Sequence, residues 1–339
     1  MIVKAWGTRG SIAISNVDSV EAGGNTTCFE IMSECLPRGA RLFVDAGTGF
    51  VPAGWNYLSE VANGLNYYIM LTHFHWDHIV GLTLSPPTFI DRIPMTIYGP
   101  MDNGHGPESM IKYLFNRPYF PVDAKKISHK MRFVTLSHYD VCVIVVHPIG
   151  GFTMIGLDDY KNIIKKNVQV ALSKNKYLLS ECLVIKMAKT NHGNANCISY
   201  RFEENPTGKV AVIATDHEDV AAISAELKEH FANADLLIID SQYDNQRYQT
   251  STAGYGHGTP HGSIKQGIVC KVKKIGFTHH DPRSTDKHLK EIILQEAAIA
   301  ISKIKATEEF LNTYKLTASD LTLTEEDICL VRDYNVYEV

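Results

Sequence analysis

Apolar residues in this chain gather in short runs rather than in long helical stripes. Met1 to Trp6, Thr27 to Met32 and Arg41 to Val44 are rich in β-branched and apolar residues. Glycines at 7, 10, 23, 24 and 47 punctuate them, the pattern of strands joined by tight turns. Val51 to Val61 carries a helical pattern instead. Tyr67 to Thr72 then reads as a buried strand and Pro94 to Tyr98 as another. Glu108 to Phe115 reads as a helix with Pro107 in its first turn.

In the middle of the chain, Arg132 to Leu136, Val141 to Val146 and Cys182 to Met187 read as strands. Between the last two, Asp158 to Lys176 carries lysines at 161, 165, 166, 174 and 176. It reads as a helical or hairpin insertion whose basic face stays solvated. The second half alternates more regularly. Strands are expected at Ile198 to Phe202, Val210 to Ala214, Ala234 to Ile239 and Lys274 to Thr278. Helices are expected at Asp219 to Phe231, Gly262 to Cys270 and Ser284 to Ile304, and Val336 to Val339 closes the chain as a strand. Strands mixed with helices, without a break in composition, predict one α/β (α+β) domain of layered sheets over residues 1–339, with an insertion around 120–189.

Composition narrows the class. The 339 residues are ample for a buried core, and 21% charged residues with a net charge of −4 exclude a uniformly basic nucleic-acid binder. A local basic patch stays open. Met1 to Trp6 has no charged segment leading into an apolar run, so no leader peptide is read there. Val141 to Leu157 is the longest apolar stretch, but His147, Pro148 and glycines interrupt it, and no membrane span is expected. The cysteines number seven, with no Cys-x-x-Cys pair, which argues against a disulfide framework or a thiolate zinc site. A reducing cytoplasm is the expected compartment.

The chemistry lies between His73 and His78. His73-Phe74-His75-Trp76-Asp77-His78 follows the expected strand directly. In extended backbone His73 and His75 face the same way, while Asp77 and His78 lie past the bend. Phe74 and Trp76 are read as packing residues that face away from the polar cluster. Other polar residues stand at predicted strand ends: His192 just before one, and Asp216, Asp240, His279 and His280 just after others. Imidazole and carboxylate donors suit zinc, manganese or iron. The remaining histidines, among them His105, His217, His230 and His261, are read as surface or satisfied core residues.

At these residues the sequence resembles the metallo-β-lactamase superfamily, whose His-x-His-x-Asp-His motif stands here as His73, His75, Asp77 and His78. It looks most like the phosphodiesterase branch with ribonuclease Z and the small cyclic-phosphate phosphodiesterases. Gly7-Thr8-Arg9-Gly10-Ser11, Gly23 to Cys28 and Val44 to Gly49 match that branch's opening, and Thr278 to Pro282 matches its closing histidine motif. Gly256-His257-Gly258-Thr259 is similar to its Gly-His-Ser-Thr, with glycine where serine is usual. The resemblance implies a four-layer αββα sandwich holding two divalent metal ions, zinc first, with manganese or iron as alternatives. His73, His75 and His192 would hold one ion. Asp77, His78 and His279 would hold the other, with His280 as a one-residue ambiguity. Asp216 would bridge them, and Asp45 and Asp240 would orient bound imidazoles.

Two ions about 3.5–4 Å apart can share a hydroxide that attacks at neutral pH. His257 would then protonate the leaving oxygen. The expected function is hydrolysis of a small or cyclic phosphodiester. Three alternatives stay open: an RNA-processing endonuclease like ribonuclease Z, a carboxylic ester, thioester or lactone hydrolase on the same metals, and a non-enzymatic member. RNA is the alternative partner, no membrane partner is expected, and the insertion could serve a homodimer contact.

Overall fold

The computed structural model describes residues 1–219 and 222–339. Its strands are β1 (Ile2–Gly7), β2 (Cys28–Met32), β3 (Ala40–Val44), β4 (Asn66–Met70), β5 (Met95–Pro100), β6 (Met131–Leu136), β7 (Cys142–His147), β8 (Gly151–Gly156), β9 (Val170–Leu172), β10 (Asn175–Tyr177), β11 (Leu183–Lys189), β12 (Ile198–Glu204), β13 (Lys209–Ala214), β14 (Leu236–Asp240), β15 (Ile275–Thr278), β16 (Ile328–Leu330) and β17 (Val336–Glu338). One sheet runs β17-β1-β2-β3-β4-β5-β6 and the other β16-β15-β14-β13-β12-β11-β7-β8. β9 and β10 form a separate hairpin.

The two sheets pack face to face. Leu42, Val44 and Met70 of the first meet Ile185, Tyr200, Ile213 and Ile238 of the second in one apolar cluster. Side chains alternate along each strand, so Phe43, Tyr67 and Ile69 point to the other face of the first sheet. There they pack on Phe50 and Ala53 of the helix Phe50–Asn56 and on Ile111 of the helix Pro107–Leu114. Val212, Leu237 and Phe277 do the same on the second sheet, against helices Ala225–Phe231, Pro260–Val269 and Leu294–Lys305. The architecture is therefore the helix–sheet–sheet–helix sandwich expected from the sequence.

Parallel pairing is what builds an edge for chemistry. β3 through β6 are parallel neighbours, and so are β13 through β16. Their carboxyl ends therefore open on common edges, where ligands of open α/β sheets gather. The segment 157–177 folds as a helix, Leu157–Lys166, followed by the β9–β10 hairpin, while β6, β7, β8 and β11 on either side belong to the main sheets.

Several elements differ from expectation. Val51 to Val61 splits into a helix ending at Asn56 and a 3-10 turn, Leu58–Asn63. Of the helix expected over 219–231, residues 225–231 form it, and 220–221 lie outside the described residues. The long helix after Ser284 starts at Asp286 and contains a π turn, Leu289–Ile293. β8 and β16 were not expected from the sequence.

Candidate metal centre

Five strand ends deliver the site. β4 runs into Thr72 and His73, and β3 into Asp45. β13 leads to Asp216, β14 ends at Asp240, and β15 leads to His279. A four-residue helix, Trp76–Ile79, then turns Asp77 and His78 inward, both buried. His192 lies in the turn between β11 and β12, and His257 in the glycine-rich loop before the helix at Pro260.

The structure brings all eight candidate residues together. Donor atoms of His73, His75, His192 and Asp216 lie within 4.8 Å of one another, and so do those of Asp77, His78 and His279. A third group joins Asp216, His257 and His279. Asp216 reaches both sides. Its Oδ2 stands 3.7 Å from His73 Nε2 and 3.5 Å from His192 Nε2, and its Oδ1 is 3.1 Å from His78 Nε2. Asp77 Oδ2 lies 3.2 Å from His279 Nε2 and 3.3 Å from His78 Nε2, and accepts from Ser11 N at 2.7 Å.

The far side of two of the rings, His78 and His192, is fixed. His78 Nδ1 lies 2.8 Å from Asp45 Oδ2, and His192 Nδ1 donates to Gly256 O at 2.8 Å. Asp45 is itself held by the backbone and hydroxyl of Thr72. Such outer bonds select the tautomer and leave Nε2 facing inward as a donor for a metal. His279 and His280 separate here. His279 faces Asp77 and Asp216, whereas His280 Nε2 donates to Val331 O at 2.8 Å, away from the cluster.

The donors fit a cation better than they fit one another. His75 Nδ1 and His192 Nε2 are 3.1 Å apart, and His78 Nε2 and His279 Nε2 are 3.3 Å apart. Lone pairs at such distances repel unless a proton or a metal lies between them. His73 Nε2 is buried with no hydrogen-bond partner, a cost that natural sites retain for a reason. Electrostatics agree. Burial alone would raise the Asp216 carboxyl, yet His279, His78 and His73 hold it well below its ordinary value. Burial alone would lower His78, but Asp216, Asp77 and Asp45 hold the imidazole well above its ordinary value. His279 is driven the same way: Asp216 and its bond to Asp77 overcome burial and push it to about 9. His73 moves oppositely, pushed well down by burial and by His78. The carboxylates thus draw positive charge into the pocket, and three non-glycine residues beside it are held at positive φ: Ser11 at 63°, Asp45 at 61° and His279 at 59°.

His257 Nδ1 pairs with Asp240 Oδ2 at 2.8 Å, and its ring stacks on His279 at a centroid distance of 4.8 Å. Glycine at 258 has a steric reason: a Cβ there would lie 2.5 Å from Asp240 O and 2.9 Å from His217 O. A cavity of about 180 Å³ opens beside His257, lined also by Asn245, Tyr248, Gln249 and His261.

One expectation fails at Trp76. Phe74 packs in the core, but Trp76 is 65% exposed, because the short helix begins there and ends the alternation. One residue of the site was missed. Glu218 accepts from Tyr248 Oη at 2.6 Å, from Gly254 N at 2.6 Å and from Gly256 N at 2.8 Å. Its only sequence signal is a second acid two places after Asp216.

No family model matches the sequence. The chain is 23% identical over 240 residues to ribonuclease Z of Prochlorococcus marinus (strain MIT 9515), covering 65% of this chain and 72% of that protein. Over 99% of both chains it superposes on the metallo-β-lactamase fold protein YhfI from Bacillus subtilis with a TM-score of 0.55 at 14% identity. Yeast PDE1 superposes over 99% of both chains with a TM-score of 0.57 at 13% identity. The chain has the metallo-β-lactamase fold.

Proposed function

We propose that this metallo-β-lactamase-fold chain is a metal-dependent hydrolase with two divalent ions, natively zinc, that cleaves a small or cyclic phosphodiester. The carrying observation is the coincidence, on one edge, of two donor groups, with Asp216 in the first and within 3.4 Å of His78 and His279 in the second, and of a separate imidazole–carboxylate pair, His257 and Asp240. His73, His75 and His192 would hold one ion, and Asp77, His78 and His279 the other, with Asp216 serving both. Bound there, the ions would neutralise the non-bridging phosphoryl oxygens and make water nucleophilic at neutral pH. The chain's own part is to orient and to move one proton. Asp240 fixes Nδ1 of His257, so Nε2 is the atom that delivers a proton to the departing oxygen. Asp45 and Gly256 O hold His78 and His192 in the metal-binding tautomer.

Elemental analysis paired with a phosphodiester panel tests this reading. About two equivalents of metal are expected, with turnover of a nitrophenyl phosphodiester and of at least one cyclic nucleotide. Loaded protein that is inert across the panel would remove the substrate class. The likeness to ribonuclease Z supports a second reading, an RNA endonuclease, with the exposed lysines of Leu157–Lys166 as its basic surface. Cleavage of structured precursor RNA, falling steeply with salt, would favour it. No described helix is long and apolar enough to cross a membrane, and the unpaired thiols suit the cytoplasm.

A further inference from the structure

We infer that Glu218 is a positioning residue for the proton donor: it holds the loop that carries His257, so that this imidazole meets the leaving group. The catalytic meaning of the assignment rests on the phosphodiesterase reading above, while its geometry stands apart. Glu218 is 3% exposed, and its carboxylate takes three donors at once. Oε1 accepts from Tyr248 Oη and Gly254 N, both at 2.6 Å, and Oε2 accepts from Gly256 N at 2.8 Å. Bonds from uncharged donors to a buried carboxylate are among the stronger kind. They clamp both glycines that flank Tyr255, directly ahead of His257.

The clamp is itself anchored. Glu218 N donates to Asn191 O at 2.8 Å, one residue before His192. Other bonds on this loop are Tyr255 N to Thr252 O at 3.1 Å and His192 Nδ1 to Gly256 O at 2.8 Å, and Glu218 adds to them the two glycine N–H groups. Gly254 and Gly256 have φ of 86° and 88°, where many backbone conformations are open to glycine. Tyr255 is 63% exposed. Neighbouring acids do other work: Asp240 takes His257 Nδ1, and Asp219 pairs with Lys265 at 2.7 Å. Glu218 is thus the carboxylate among these three that fixes where the loop lies.

Glu218→Gln tests the inference, since one side-chain oxygen becomes an amide that faces an N–H and loses that bond. Two diesters are compared, one with an alkoxide leaving group and one with 4-nitrophenolate, which departs without a proton. The variant should lose about 10- to 100-fold in kcat on the alkyl diester, part of the ~10²–10⁴ that a general acid supplies. KM, metal content and turnover of the nitrophenyl diester should stay within about threefold. Tyr248→Phe removes one bond and should act in the same direction, more weakly. In metal-free protein, amide exchange at Gly254 and Gly256 should rise at least about tenfold in Glu218→Gln, with β4 and β13 amides unchanged.

Equal losses on both diesters, loss of metal, or unchanged exchange at the two glycines would each overturn the inference. Wild-type protein inert on every diester would instead sink the functional reading, and the exchange measurement would still decide whether Glu218 holds the loop.

Discussion

The donors at strand ends and the imidazole on the glycine loop reach the same pocket by opposite means. His73, His78, Asp216 and His279 are 0–1% exposed and stand within three residues of a strand or on the short helix that follows β4. Their positions are fixed by ladders and by the core. His257 is partly exposed and sits between glycines, held by Asp240 and by a loop that Glu218 clamps. The first set is suited to gripping ions, which demands rigidity. The second is suited to giving up a proton, which demands access to solvent and substrate.

The sharpest break of this contrast is Asp216→Ala. It should strip metal and abolish turnover on every diester, by well over the ~10–100-fold that losing an outer hydrogen-bond partner costs. Retained stoichiometric metal by elemental analysis would contradict the assignment. His257→Ala should leave metal content intact and reduce kcat about 10²–10⁴-fold on an alkyl diester, and much less on a nitrophenyl diester. A uniform loss would place His257 among the ion-gripping residues instead.

Adjacent aromatics sharpen the comparison on the stability side. Phe74→Ala should destabilise by about 3–5 kcal/mol, since the ring fills the core beside β4, whereas Trp76→Ala should stay within ~0.5 kcal/mol. Denaturant melts of the two variants would test it, and similar values would mean that Trp76 is packed.

A control lies away from both sets. His230 is buried with its pKa pushed down to about 3 by burial, then by Arg201 and Lys186. The unfolded chain takes up the proton near 6.5 and the folded chain does not, so stability falls as pH drops from about 6.5 towards 3. His230→Gln should flatten that slope in a pH series of melts.

Legibility followed the same divide. The ligand-like run was readable because its residues are contiguous and follow an apolar strand. Asp216 and His279 were readable because their strands are buried runs of fixed period. Trp76 was misread because strand alternation was carried one residue past the point where the helix begins. β8 was missed because it is an edge strand whose residues are mostly half-buried or exposed, which erases a clean alternation. Glu218 was invisible for a different reason: its partners are backbone amides of a loop 36 and 38 residues away, and no residue type announces an acceptor for backbone N–H groups.

The two donor groups proposed to grip the ions each draw from both sheets. His73 and His75 follow β4 of one, while His192 and Asp216 belong to the other. Asp77 and His78 lie on the first side, and His279 follows β15 of the second. An ion seated in either group would therefore act as a rivet through the seam. Neither half could recruit it before the two had docked, so metal uptake would report on completed assembly of the sandwich.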